Sequence, residues 1–404
     1  MIHLKKINIS IFEAMCFILI TGFLKSPYLE RYRFFNLLYI IIKLICLIFL
    51  IMNHKKLVVN NLLITIILYE VVLCVSTIKS GVGIQNVLVN GISTIVFCLF
   101  INFVLSVNSS LCVRVLYNVC ELLVWINVLT LLLFPNGLYL PNGLDIDIFD
   151  AEKKRYFLGH QNQMIIYSLP AITLGKIRKE IDTSFSEYRV FFLEFISLFF
   201  VIRVWSAVSI VGLSLFFILT LYNRISKTGF RVSVLASGII NIVFFMLFVI
   251  QQNFHLFDYI IVNLLNRNLT LTGRTQIWYI AFEAFLQNPI LGWGNGKGRE
   301  VFGFANAHNR YLNTLFTSGI IGMFFFIMMI LLVNKSLQDF DNNIVRIFCI
   351  FFFTLFVMFQ GEVFGSYLVY AMIVIAYNVN KLNPEIFKSS TIHLRQTGLE
   401  RNLH

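Results

Sequence analysis

The sequence predicts an all-α, polytopic integral membrane protein: a bundle of about twelve transmembrane helices of roughly 20 residues each, with a small helical cap on its outer face. Three observations carry this. Hydrophobic residues make up 58% of the 404, charged residues only 13%, and mean hydropathy is +0.81; a water-facing surface needs roughly a quarter charged residues. The apolar residues, 43 Phe among them, gather in long runs. Lys and Arg fall in short clusters between those runs. Disorder, a collagen-like fibre and a disulfide-stapled secreted domain are all excluded by this composition.

The runs, in order, are residues 7–24, 34–52, 57–78, 84–107, 111–134 and 163–174, then 188–202, 206–222, 232–250, 315–333, 344–359 and 364–378. The first follows Lys5-Lys6 without a small-residue cleavage site, which reads as a retained span rather than a cleaved signal peptide. The run 163–174 is short and holds Pro170, and only Arg203 separates its two neighbours. Residues 1–380 form one membrane domain, and the polar residues 381–404 a solvated cytoplasmic tail. Cys16, Cys46, Cys74, Cys98, Cys112, Cys120 and Cys349 all sit in or beside apolar runs with no CxxC pair, as packing residues do.

The net charge of +12 has no continuous basic face behind it, so nucleic acid is not the expected partner; the lipid bilayer is. With both termini in the cytoplasm, Lys55-Lys56, the cluster Lys176, Arg178 and Lys179, and the trio Arg224, Lys227 and Arg231 fall inside, as the positive-inside bias requires. Lys25, Arg31 and Arg33 in the first outer hairpin fit this least well. Two outer segments, 135–163 and 251–318, are then too long to be connectors. In the second, Trp278, Ala281, Phe282, Phe285 and Leu286 recur at three- and four-residue steps, an amphipathic helix that Asn288-Pro289 ends.

The same segment carries the polar residues with the most chemistry. His308 is expected to open a helix that continues through Tyr311, Leu312, Leu315 and Phe316. The positive end of a helix dipole would favour a neutral imidazole there, able to accept a hydroxyl proton; the alternative is a His that only ties the loop together. The turn Gly292-Trp293-Gly294-Asn295-Gly296 lacks the spacing of a nucleotide loop, since Lys297 is followed by Gly298, and reads as a turn that lets backbone approach a substrate. Arg203 and Arg274 lie at the outer membrane edge. Each is either a snorkelling side chain or a fixed cation for a lipid pyrophosphate. Glu362, in the short last outer loop, reads as a solvated turn residue. Asp145, Asp147, Asp150 and Glu152 have no EF-hand spacing and read as a solvated loop rather than a calcium site. No metal site is expected.

The block Gly273-Arg274, Trp278, Asn288-Pro289, Gly292-x-Gly294, His308-Asn309-x-Tyr311 and Gly319-x-x-Gly322 resembles the O-antigen polymerase and ligase superfamily (Wzy and WaaL types). It spans residues 273–322, about an eighth of the chain. The segment around Arg203 is similar to the superfamily's Ser-Arg motif, with Ile202 in place of Ser. Residues 157–170 resemble its Gly-x-x-Asn element, which places Asn162 in the site. The resemblance implies a multi-pass glycosyltransferase of the bacterial cytoplasmic membrane, acting at the outer face on glycans linked to undecaprenyl diphosphate, without cofactor, metal or nucleotide. His308 would be the catalytic residue. Arg203, Arg274, Asn309, Tyr311 and Asn162 would bind substrate. A flippase and a chain-length regulator are the partners such an enzyme implies.

The favoured expectation is a polymerase joining lipid-linked repeat units, for O-antigen or capsule. A ligase moving finished polymer to an acceptor shares the same pattern. A lipid-linked oligosaccharide flippase would instead want intramembrane charges around one central cavity, and Lys43, Glu70 and Glu194 are the candidates. A cell-wall polymerase would lack the His-Asn pair.

Overall fold

Each of the twelve apolar runs forms a helix. The computed structural model describes residues 9–139, 154–226, 231–251, 274–363 and 365–382. Lys5-Lys6, the acidic residues from Asp145 to Glu152, Thr272-Gly273 and residues 383–404 lie outside them. The chain begins with Ile9–Phe23 (α1), Arg33–Met52 (α2), Asn61–Ser80 (α3), Ile84–Val107 (α4) and Ser109–Leu133 (α5). A two-stranded hairpin, Arg155–Tyr156 (β1) and Gly159–His160 (β2), leads into Met164–Ile181 (α6), Glu187–Arg203 (α7), Ala207–Ile225 (α8) and Val234–Phe245 (α9). The outer segment holds Arg274–Gln287 (α10) and Gly298–Phe302 (α11), and the chain returns as Arg310–Gln338 (α12), Asn343–Phe359 (α13) and Tyr367–Tyr377 (α14).

Local chemistry sets many of these starts. Asn60, Asn108, Ser233, Asn309, Asn342 and Ser366 each accept a hydrogen bond from a backbone N–H three residues on, which satisfies one of the orphan donors of a first turn. The expected run at 163–174 extends to Ile181 because Lys176, Arg178 and Lys179 continue the helix on partners. Lys176 pairs with Glu194 at 2.8 Å, and Arg178 donates to Asn118 at 3.1 Å.

Six helices (α2, α3, α4, α5, α8 and α12) are long and apolar enough to cross a membrane, and α1, α9 with its π-turn, α13 and α14 are shorter apolar helices. In the most apolar stretch of α2 only 17% of residues are buried, against 67% in α4. Leu37, Ile41, Leu44 and Ile48 of α2 are all more than half exposed. An apolar face of this kind is stable only against hydrocarbon, so the chain is an integral membrane protein.

Successive membrane helices alternate in direction, which gathers one set of ends together. The carboxyl ends of α1, α3, α5, α7, α9 and α13 meet the amino ends of α2, α4, α6, α8, α12 and α14. Tyr28 N donates to Phe157 O at 3.3 Å, Asn295 N to Thr77 Oγ1 at 2.9 Å and Asn162 Nδ2 to Glu362 Oε1 at 2.9 Å. The described parts of both long segments therefore lie at this same end.

α12 is two helices joined at Gly319, whose φ of 62° and ψ of −162° no helix allows. An unbroken helix would bond Phe316 O to Ile320 N and Thr317 O to Ile321 N. Instead Trp293 N and Gly294 N take those carbonyls at 2.7 and 2.9 Å, while Ile320 N and Ile321 N turn to Pro289 O and Ile290 O at 2.8 and 3.3 Å. The glycine-rich turn thus approaches protein rather than substrate. A Cβ at Gly319 would collide with the Ile290 carbonyl, and one at Gly294 with the backbone of Thr77.

Candidate active site

His308 does not open a helix. It precedes the first turn of α12 with φ 49°, and Asn309 is the capping residue, its Oδ1 accepting from Leu312 N at 3.0 Å. Among the described residues, the non-glycine positions with left-handed φ are His308 and Trp205. Trp205 makes the tight reversal between α7 and α8. Such conformations cost about 1–2 kcal/mol and persist where surroundings enforce them. Around His308 that enforcement is visible: its N–H donates to Asn306 Oδ1 at 2.9 Å, Trp278 Nε1 donates to Ala307 O at 3.0 Å, and Phe304 meets its ring edge-on at 5.9 Å.

Held this way, His308 presents Nδ1 to Glu362 Oε2 at 3.5 Å. That gap is long for a hydrogen bond, as catalytic pairs often are before substrate binds. Glu362 is not a solvated turn residue. Its side chain is 16% exposed, and Oε1 accepts from Asn162 Nδ2 at 2.9 Å and lies 3.2 Å from an Arg274 guanidinium nitrogen. Burial alone would raise the pKa of this carboxyl. The His308 ring, Arg274 and the Asn162 amide outweigh it and hold the value at about 2, so Glu362 is a fixed anion at physiological pH.

A second layer of polar groups fixes these. Asn162 Oδ1 accepts from the Ser206 hydroxyl at 2.6 Å, and Ser206 Oγ lies 2.7 Å from Ser209 Oγ. Asn162 is itself aimed by the hairpin before it, where Leu158 N donates to Asn127 Oδ1 at 2.7 Å. On the other side, Asn309 Nδ2 donates to Gln360 O at 3.1 Å and to Gln360 Oε1 at 3.2 Å, and Gln360 Nε2 donates to Asn241 O at 2.7 Å. The loop bearing Glu362 is therefore clamped to the start of α12.

Asn162, Arg274 and His308 converge on one carboxylate, and Asn309 supports it from behind. Tyr311 does not join them: it is buried among Phe245, Phe326 and Phe359, with its hydroxyl 3.3 Å from Phe356 O. Arg203 also stands apart. Exposed at the end of α7, it makes no hydrogen bond or ion pair among the described residues, although its charge offsets part of the burial that raises the Tyr156 hydroxyl pKa. It lies three residues from Ser206, so its Cα is at most about 11 Å from that residue's. Glu362, Gln360 and Ser206 escaped the sequence reading. For Glu362 there was a usable signal: a lone acid between two apolar spans needs a partner.

In α10 the buried stripe is Ile277, Trp278, Ala281, Ala284 and Phe285, while Leu286 turns outward. Beside His308-Asn309, Arg310 points the other way, its guanidinium 3.3 Å from Tyr69 Oη.

Residues 195–327 match the family model described as O-antigen ligase. The matched segment holds Arg203, Ser206, Arg274, His308 and Asn309; Asn162, Gln360 and Glu362 lie outside it. No curated protein gives a significant match to the chain.

Proposed function

We propose that this chain, whose residues 195–327 match the family model described as O-antigen ligase, is a member of the O-antigen polymerase and ligase superfamily and joins oligosaccharide repeat units carried on undecaprenyl diphosphate at the outer face of the bacterial cytoplasmic membrane. The observation that carries this reading is the convergence of Asn162, Arg274 and His308 on Glu362, at the end of the bundle that holds the described parts of both long segments.

The reaction is a substitution at an anomeric carbon. An acceptor sugar hydroxyl forms the new C–O bond, the bond to the lipid diphosphate breaks, and the diphosphate leaves with the electron pair. The hydroxyl proton passes to His308. Glu362 beside Nδ1 favours the tautomer protonated there, which leaves Nε2 as the acceptor. This proton transfer accounts for roughly 10²–10⁴-fold. Arg274, already beside Glu362, and Arg203, with no ion pair among the described residues, would meet the departing diphosphate; Arg suits it through its planar fork of donors. Asn309 and Tyr311 act here by holding the start of α12.

Polymerase is preferred to ligase because no further acceptor-binding motif stands out. A flippase is disfavoured by the intramembrane charges themselves. Lys43 meets Tyr367 Oη at 3.3 Å, Glu70 meets Tyr370 Oη at 3.1 Å and Glu194 pairs with Lys176, so each has its own local partner.

The decisive experiment supplies purified protein with lipid-linked repeat units, a chelator and no nucleotide. Polymer should form, and His308→Ala should leave single repeats unjoined while remaining in the membrane. Long polymer from His308→Ala, or a requirement for metal or nucleotide, would refute this mechanism.

A further inference from the structure

The helices α6, α7, α8 and α13 form a ring in which each packs against two neighbours while the diagonal pairs barely meet. Toward the candidate active site the ring is closed: Ser206 and Ser209 are fully buried, and a Cβ on Gly212 would collide with Met358 Sδ. At the far end, bounded by the carboxyl ends of α6 and α8 and the amino ends of α7 and α13, it opens into a hollow of about 740 Å³. With α7 roughly 25 Å long at 1.5 Å per residue, this hollow belongs to the opposite membrane face.

Its walls are unlike those of a packing defect. Lys176, Lys179 and Arg224 face Glu180, Glu187 and Glu194 across it, a formal sum of zero. Two ion pairs stand at two depths. Arg224 and Glu187 pair at 2.8 Å on the rim, 72% and 59% exposed, while Lys176 and Glu194 pair at 2.8 Å deeper inside, 24% and 9% exposed. Glu194 sits about 10 Å along α7 from its start, where a charge pair is kept only if polar surroundings compensate its desolvation. The remaining wall mixes apolar Phe217, Leu221 and Ile347 with Thr220, Asn223 and Asn343, whose amide donates to Glu180. Phe191 and Tyr188 at the α7 edge, 53% and 77% exposed, open the hollow sideways to lipid.

We infer that this hollow binds a phospholipid with a phosphoethanolamine headgroup. A ligand of both charges fits a wall of both charges with a net of zero. The phosphate meets Arg224 and Lys179, the primary ammonium gives its three N–H donors to the carboxylates, and an acyl chain lies along Phe217, Leu221 and Ile347. A purely anionic headgroup would draw Arg224 away from Glu187 and bring no cation to replace it. The lateral opening admits a lipid already in the leaflet, and the volume falls in the range of small-molecule sites, about 300–1,000 Å³. This binding does not depend on the glycosyl-transfer reading.

The test incubates full-length protein with equal amounts of phosphatidylethanolamine and phosphatidylglycerol of identical acyl chains, and counts retained lipid by native mass spectrometry. One phosphatidylethanolamine per chain should be kept, about tenfold in preference, the scale of one charge-assisted hydrogen bond. Thr220→Trp, which fills the hollow without removing a charge, should lower retention by about tenfold. The double substitution Lys176→Met with Glu194→Leu should erase the preference while the fold survives, as paired apolar replacement of buried ions commonly allows. Equal retention of the two lipids by the wild type, no retained lipid, or wild-type retention in Thr220→Trp would each overturn the assignment.

Discussion

Asn162 and Glu362 are 200 residues apart in sequence and joined by a hydrogen bond of 2.9 Å. The same oxygen of Glu362 faces Arg274, and the other faces His308. A base, a cation and an amide from three separate segments are thereby fixed to one anion, and none can shift without disturbing the rest.

Glu362→Gln keeps the shape of that hub and removes its charge. Polymer formed per molecule of enzyme should fall by about 100-fold or more, the scale of a lost acid–base or oxyanion contact. The assay is chain length on purified lipid-linked repeats. Activity within about threefold of wild type would remove Glu362 from the mechanism.

The pH dependence of stability carries a second signature. The folded-state pKa of Glu362 is depressed from 4.5 to about 2, so its contribution is present above about 4.5 and is lost as pH falls toward 2. That contribution is on the order of 3 kcal/mol. The gap in unfolding free energy between wild type and Glu362→Gln should be full near pH 5 and close progressively below it. A gap that widens on acidification contradicts the depressed value.

At His308 the backbone and the side chain make separable predictions. His308→Gly relieves the left-handed conformation and His308→Ala does not, so the Gly variant should be the more stable of the two by about 1 kcal/mol. Both should be inactive. Thermal melts read the first difference and polymer assays the second; an active Gly variant would make His308 purely structural.

The two arginines should fail differently. Arg203→Ala removes an exposed cation that makes no hydrogen bond or ion pair among the described residues, so melting temperature should hold while polymer is lost. Arg274→Ala also orphans Glu362 and should lower both. Arg→Lys should restore activity only in part at either position. Full activity in both Ala variants would place the diphosphate elsewhere.

Sidedness can be read with thiols. Cysteines placed at Asn295 and at Asp147 should react with an impermeant reagent outside intact cells, and one at Arg224 only after lysis. The reverse pattern would invert the proposed orientation.

The helices were legible because burial in lipid imposes composition directly. The run at 84–107 coincides with α4, and Asn288-Pro289 does end α10. Arg274, His308 and Asn162 were reached through motif resemblance, yet what unites them was not. Glu362 is marked only as a lone acid between two apolar spans; its partners lie far away in sequence, so no local pattern names them. Gly319 was visible as a glycine pair with Gly322, but a helix break depends on which carbonyls a distant loop occupies. The conformation of His308 was missed for a related reason: a capping Asn after a His looks like a helix that starts one residue early.

A straight helix carries a tilt from one end to the other as a rigid rod would. α12 cannot, because at Gly319 its hydrogen bonds cross to residues 289–294 instead of continuing along the axis. When bilayer thickness changes and the membrane half leans to match it, that half turns about the joint. The upper half, with Asn309 and His308 at its head, stays in register with the loop. On the proposed reading, the alignment of the candidate site would thereby be insulated from the lipid in which the protein floats.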